Sequence, residues 1–214
     1  KLLASDGTSD DDFGKSVSIS GDGTTALVGA AFDQDNGASS GSVYIYSLIG
    51  SVWQETKLIA SDGASGDNFG IRVSLSSDGT AAIVGAWGDN DNGSFAGSAY
   101  IYNLAWLSGV WEETKLLAND GASNDNFGIR VSISSDGTTA IVGAYGDDDN
   151  GSYSGSAYIY ELALLSGEWE ETKLLASDGA SDDDFGKSVS ISSDGSTAIV
   201  GAHGDDDNGS YSGS

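Results

Sequence analysis

Carboxylates two residues apart, each pair followed by Asn-Gly, recur in four copies of one loop. The copies are Asp33-Gln34-Asp35-Asn36-Gly37, Asp89-Asn90-Asp91-Asn92-Gly93, Asp147-Asp148-Asp149-Asn150-Gly151 and Asp205-Asp206-Asp207-Asn208-Gly209. Oxygen donors at that spacing suit a hard cation, because Ca2+ takes about six to eight oxygen ligands from carboxylates, amides, carbonyls and water. The candidate metal ligands are Asp33, Asp35 and Asn36 in the first loop, and Asp89, Asp91 and Asn92 in the second. Asp147, Asp149 and Asn150 follow in the third, and Asp205, Asp207 and Asn208 in the fourth. Ca2+ is the expected cofactor. Asp11, Asp67, Asp125 and Asp183, each in the loop ahead, are placed to add a carboxylate. The competing reading is a solvated acidic turn in which Asn-Gly serves only its tolerance of positive φ. Three crowded aspartates without a counter-ion are unfavourable, which favours the cation.

The same loops carry Asn-Gly-Ser at Asn92, Asn150 and Asn208, and Asn-Gly-Ala at Asn36. The first three are N-glycosylation acceptors by pattern, and the pattern is equally ordinary turn chemistry. General acid–base chemistry finds little to work with. The sole histidine, His203, fills a slot held in the other copies by Ala31, Trp87 and Tyr145. A slot open to those three is not a catalytic slot. Paired carboxylates need different environments to separate their pKa values, and repeated environments are alike. The expectation is a protein that is not an enzyme.

The elements that hold these loops follow from internal repetition, which precedes any other structural reading. The block Lys-Leu-(Leu/Ile)-Ala begins at Lys1, Lys57, Lys115 and Lys173. The repeats are therefore residues 1–56, 57–114, 115–172 and a partial 173–214, with a two-residue deletion in the first. Inside a repeat the apolar residues alternate with a period of two, which is a strand signal. The first strand covers Ser16–Ser20, Val73–Ser76, Val131–Ser134 and Ser188–Ser192. An Asp-Gly turn follows it (Asp22-Gly23 and its copies), a strong hairpin signal. The second strand is Thr25–Ala30 or Ala140–Ala144, and the third Ser42–Leu48 or Ser156–Leu162. The fourth is Trp53–Ala60, Trp111–Ala118 or Trp169–Ala176.

Apolar residues on both faces of the third strand (Val43 and Ile45 against Tyr44 and Tyr46) require a sheet covered on both sides. Four short antiparallel strands per repeat, covered by neighbouring copies, predict an all-β propeller blade, with the serine-rich strand at the axis and the charged strand at the rim. A β-solenoid is the alternative architecture. In an up-down-up-down blade the two acid-rich loops share one end, so one face of the array should be strongly negative. Recurrence of Trp53, Trp111 and Trp169 and of the third-strand tyrosines reads as packing between blades. Trp87, Phe95, Tyr153 and Tyr211, in or beside the acidic loops, are better placed for ligand contact.

Composition closes several alternatives. The chain of 214 residues has 33 acidic and 8 basic side chains, a formal charge of −25. Scattered basic residues exclude a nucleic-acid partner. With no cysteine there is no disulfide or thiolate metal site. No apolar run approaches the roughly 18 residues of a spanning helix, so no membrane insertion is expected. The absence of methionine points to a processed product or a segment.

Phe-Gly precedes the first strand at Phe13-Gly14, Phe69-Gly70, Phe127-Gly128 and Phe185-Gly186. Gly-Ala ends the second at Gly29-Ala30, Gly85-Ala86, Gly143-Ala144 and Gly201-Ala202. This pair of motifs, in register along the whole chain, resembles the FG-GAP repeat of the integrin α-chain propeller and of many microbial and protist surface proteins. The resemblance implies a calcium-associated β-propeller outside the cell or at its surface, used in adhesion or assembly. The proline of the family's second motif is replaced here by Ala31, Trp87, Tyr145 and His203, and the integrin-type Asp-x-Asp-x-Asp-Gly loop is not present as such. The expected partners are other protein chains or further copies of the same repeat, extending to a filament or surface layer. Glycans are the alternative partner, in a calcium-dependent lectin.

Overall fold

The computed structural model describes residues 1–214 and contains only strands, turns and loops. The first sheet holds β1 (Ser16–Ile19), β2 (Thr25–Ala30), β3 (Ser42–Ile49) and β4 (Val52–Leu58). The second holds β5 (Arg72–Leu75), β6 (Ala81–Ala86), β7 (Ser98–Leu104) and β8 (Trp111–Leu116). The third holds β9 (Arg130–Ile133), β10 (Thr139–Ala144), β11 (Ser156–Ala163) and β12 (Glu168–Leu174). β13 (Phe185–Ile191) and β14 (Ala198–Ala202) pair as a two-stranded sheet. Strands consecutive in sequence are antiparallel neighbours throughout. Each sheet is a propeller blade, and the blades form an open row. Most expected strand boundaries hold to within about two residues; β13 starts three residues early, reaching back to Phe185 through a bulge between Phe185 and Ser188.

The serine-rich first strands lie side by side along the inner edge of the row. The Val73 and Leu75 N–H groups donate to Ser16 Oγ (3.0 Å) and Ser18 Oγ (3.1 Å) of the preceding blade. Ile133 N–H donates to Ser74 Oγ (3.3 Å) in the same way. The edge strand of a sheet has outward N–H groups that need partners, and a short hydroxyl side chain supplies them where no further strand fits.

The core lies between blades. Leu27, Val43 and Ile45 of the first blade pack against Phe69, Val84, Tyr100 and Tyr102 of the second, with Trp111 at the margin. Ile83, Ala99 and Ile101 meet Phe127, Val142, Tyr158 and Tyr160 with Trp169 in the same manner. Phe69 stands edge-on to Tyr100 at 5.2 Å, a favourable aromatic geometry. The two recurring glycine motifs meet across this interface. A Cβ on Gly29 would lie 2.0 Å from the carbonyl oxygen of Gly70, and one on Gly85 would lie 1.9 Å from that of Gly128. Only glycine lets the end of one blade's second strand approach the turn that starts the next.

The ends of the row show what the interfaces bury. Val17 and Ile19 of β1 are 66% and 61% exposed, whereas Val73 and Leu75, their counterparts in β5, are buried. The hairpins joining third and fourth strands, at the end away from the acidic loops, hold a feature that period-two reading missed. Trp106, Leu107, Leu164 and Leu165 at their tips are almost fully exposed.

Candidate functional site: the acidic loops

The fourth strand ends in Glu-Thr-Lys-Leu, and its register decides what the acidic loops meet. Lys57 pairs across the sheet with Tyr44, Lys115 with Tyr100 and Lys173 with Tyr158. Directly opposed residues put their side chains on one face. Each lysine therefore runs beside a buried tyrosine ring, with Nζ 5.2–5.4 Å from the ring centroid, towards the loop that joins second and third strands.

There the ammonium meets three carboxylates. Lys57 Nζ lies 2.7 Å from Asp6, 2.9 Å from Asp33 and 2.6 Å from Asp35. Lys115 Nζ lies 2.6 Å from Asp62 and 2.7 Å from both Asp89 and Asp91. Lys173 Nζ lies 2.7 Å from Asp120, 2.8 Å from Asp147 and 2.7 Å from Asp149. The tyrosine hydroxyl completes the cluster: Tyr100 Oη is 2.8 Å from Asp62 Oδ1 and 3.1 Å from Asp89 Oδ2. Asp89, the buried member, also accepts from Ser98 Oγ at 3.0 Å and from the Asp91 N–H at 2.8 Å.

These contacts set the protonation states. Burial raises the Asp62 carboxyl, and the Lys115 ammonium more than reverses it, leaving the group below its ordinary value; Asp120 behaves likewise beside Lys173. Burial disfavours the Lys115 charge, but the hydrogen bonds to Asp62, Asp89 and Asp91 prevail and hold its pKa well above normal. Burial drives Tyr100 far up, so its hydroxyl stays a donor.

The structure gathers the expected first and third loop residues, Asp33 with Asp35, Asp89 with Asp91 and Asp147 with Asp149, and adds members the motif did not indicate. Asp6, Asp62 and Asp120 come from the loop ahead of the blade, in place of Asp11, Asp67 and Asp125. Asp67 and Asp125 instead accept the N–H groups of Ala64 and Ala122 at 2.7 Å each, closing their own turns. Asp125 is buried there without a cation, and burial pushes its carboxyl up to about 6. The asparagines also turn away: Asn92 Nδ2 donates to Ala118 O at 3.0 Å and Asn150 Nδ2 to Ala176 O at 3.2 Å. Glycan attachment at either would replace a bond to the loop entering the next blade. An aspartate recurs five residues after the lysine that opens each repeat, but each aspartate meets the lysine of the following repeat (Asp6 with Lys57, Asp62 with Lys115, Asp120 with Lys173), a pairing that spacing alone does not reveal.

As a donor set, Asp62, Asp89 and Asp91, and likewise Asp120, Asp147 and Asp149, bring carboxylate oxygens within 4.8 Å of one another, a group able to hold a metal ion. The fit to calcium is poor in blades 1 to 3. The oxygens that would face the ion already face an ammonium, and the asparagine amides are directed elsewhere. In the last repeat Asp205 Oδ1 accepts the Asp207 N–H at 3.0 Å, the same turn, and no ammonium lies against it.

Aromatic residues flank these loops. Trp87 and Phe95 stack at 5.6 Å with an interplanar angle of 19°. Phe95, Tyr153 and Tyr211 are partly to largely exposed, and each has φ of 55–56°, in the left-handed region that bulky side chains avoid. The backbone has a reason: Phe95 O accepts the Asn126 N–H of the next blade's entering loop at 3.0 Å. His203 is 69% exposed, with Nδ1 3.8 Å from Asp184.

A family model described as the FG-GAP repeat matches residues 1–46, 52–102, 111–160 and 169–214. No curated protein matches the sequence. Among solved structures, U3-55K is similar with a TM-score of 0.52 at 11% identity, over 92% of this chain and 47% of that one. Saccharomyces cerevisiae Sqt1 has a TM-score of 0.51 at 11% identity, over 80% and 38%. The Dos1 propeller has a TM-score of 0.49 at 12% identity, over 90% and 39%. The likeness is one of fold, and the chain spans less than half the length of these structures.

Proposed function

The chain belongs to the FG-GAP repeat family, and from that premise we propose a non-enzymatic repeat scaffold of the cell surface or extracellular space, acting in adhesion and structural assembly. The observation that carries this reading is the pair of apolar hairpin tips on adjacent blades. Trp106, Leu107, Leu164 and Leu165 expose large side chains at the same end of the array. Large exposed apolar groups repeated at one end of adjacent blades on a strongly charged chain are suited to meet another protein, either a partner chain or a further copy of the repeat. FG-GAP repeats are typical of extracellular proteins, and no helix here is long and apolar enough to cross a membrane. The sole histidine, His203, is exposed and fills a slot held in the other repeats by Ala31, Trp87 and Tyr145, which speaks against acid–base catalysis.

The test is particle size by light scattering, together with adhesion of protein-coated beads to cells. Replacing Trp106, Leu107, Leu164 and Leu165 by serine is expected to abolish both association and adhesion while leaving the melting temperature near the parent value. A parent protein that stays a small monodisperse species and binds no cells overturns the proposal.

A second reading, a carbohydrate-binding propeller, draws on the acidic end. The Trp87–Phe95 stack and the strained, exposed Tyr153 are suited to lie against sugar rings. Binding on a glycan array, lost in Phe95→Ala with Tyr153→Ala, would move the assignment to this reading. Calcium is the cofactor the family implies, and the acidic loops are its natural place. In blades 1 to 3 it would have to displace a lysine.

A further inference from the structure

We propose that Lys57, Lys115 and Lys173 are the resident cations of the acidic loops, so that each of blades 1 to 3 is closed by an ammonium and conceals a divalent-metal site that loss of its lysine opens.

The donor count matches. An ammonium has three N–H bonds and no acceptor. Each of the three lysines has three carboxylate oxygens at 2.6–2.9 Å, one from each aspartate. Nothing is left for the ammonium to offer, and its acceptors come from two loops that only the folded blade brings together. In the second blade Asp62 stands ahead of β5, Asp89 and Asp91 stand between β6 and β7, and Lys115 stands on β8. The lysine thus clasps the blade's acidic end as a structural ion would.

An ion and the lysine exclude each other. Ca2+ would lie about 2.3–2.6 Å from the same carboxylate oxygens, within a few ångström of an ammonium already bonded to them. Like charges at that range in a partly buried site repel strongly, because the surrounding dielectric is well below that of water. Lys115 could escape only by leaving all three carboxylates and the Tyr100 ring. The ammonium is built into the chain, and strand register delivers it: Lys115 is fixed opposite Tyr100, whose hydroxyl bonds two of the same aspartates, Asp62 and Asp89. The same geometry occurs in three blades with distances alike to a few tenths of an ångström.

The test counts calcium bound to the full chain by native mass spectrometry and follows terbium luminescence sensitised through Tyr100. Lys115→Met keeps most of the stem over the ring and removes the charge. It is expected to bind one more calcium than the parent, to gain terbium luminescence, and to lose both when Asp91→Asn is added. A folded Lys115→Met chain that gains no ion overturns the proposal. So does a parent chain whose calcium count falls by one on Asp91→Asn alone, a measurement that stands even if Lys115→Met does not fold.

Discussion

Asp62, Asp89 and Asp91 of the second blade correspond in the repeat to Asp178, Asp205 and Asp207 of the last, and the two sets differ by one group. Lys115 lies within 2.7 Å of each carboxylate in the first set. In the second set no ammonium is present, and the neighbouring Asp205 and Asp178 carboxylates raise the Asp207 pKa, while hydrogen bonds from Ser214 and the Asp207 N–H hold Asp205 down. The lysine that completes each clasp comes from the fourth strand of the blade, the element that also pairs with the tyrosine strand. Within the clasps the acidity is met locally, three carboxylates to one ammonium, and the chain as a whole keeps a formal charge of −25.

A large effect should come from converting the first kind of set into the second. With Lys115→Met in chelator, the buried Asp89 and its exposed partners Asp62 and Asp91 lose their counter-charge, and a loss of about 2–3 kcal/mol, nearly all of it at Asp89, is expected in urea unfolding. Added calcium should restore a substantial part. Glycine substitutions extend the comparison to packing. Gly85→Ala drives a Cβ into the Gly128 carbonyl and should cost about 2–3 kcal/mol or more. The Cβ of Gly201→Ala meets only the Ser188 hydroxyl, which can rotate, so a cost under about 1 kcal/mol is expected in the same assay.

Tyr100→Phe removes the hydroxyl that bonds Asp62 and Asp89 and keeps the ring, with an expected loss of about 1–2 kcal/mol. Dependence on pH separates caged from uncaged carboxylates. Asp62 and Asp120 titrate below their unfolded value near 3.9, so their stabilisation is present above about pH 4 and is lost as pH falls through their folded values. Asp125 runs the other way. Its folded value of about 6 lies above the unfolded one, so its contribution is present below about pH 4 and is lost as pH rises through 6. Stability should therefore rise by about 1 kcal/mol from pH 7 to pH 5 and then fall below pH 4. Asp67, raised by burial in the same way, adds in the same sense, so Asp125→Asn should shrink the rise and leave the fall.

Much of the fold was legible because it rests on local signals. Alternation in Ser42–Ile49 reports a strand packed on both faces, Asp22-Gly23 reports a tight turn, and a 58-residue period reports one blade per repeat. The pairing of Phe-Gly with Gly-Ala was visible as a motif, though its reason is a backbone contact between Gly29 and Gly70 of different blades. The acidic loops were legible as cation seekers from Asp-x-Asp-Asn-Gly. Their cation was not, because Lys115 is 24 residues from Asp91 and 26 from Asp89 and reaches them only through the antiparallel register of β7 with β8. Asp62 and Asp67 are both acidic and five residues apart, and turn geometry alone decides that Asp62 joins the clasp while Asp67 caps Ala64. The exposed Trp106 and Leu107 escaped notice because strand periodicity says nothing about a hairpin tip.

The identity of the cation is open to direct observation. Lysine ammonium groups that exchange rapidly with water give no resolved signal in nitrogen-selective NMR, whereas fully hydrogen-bonded ones do. Of the six lysines in the chain, Lys57, Lys115 and Lys173 should give protected ammonium signals that persist unchanged on titration with calcium. Absence of those signals, or their loss as calcium is added, would contradict the account.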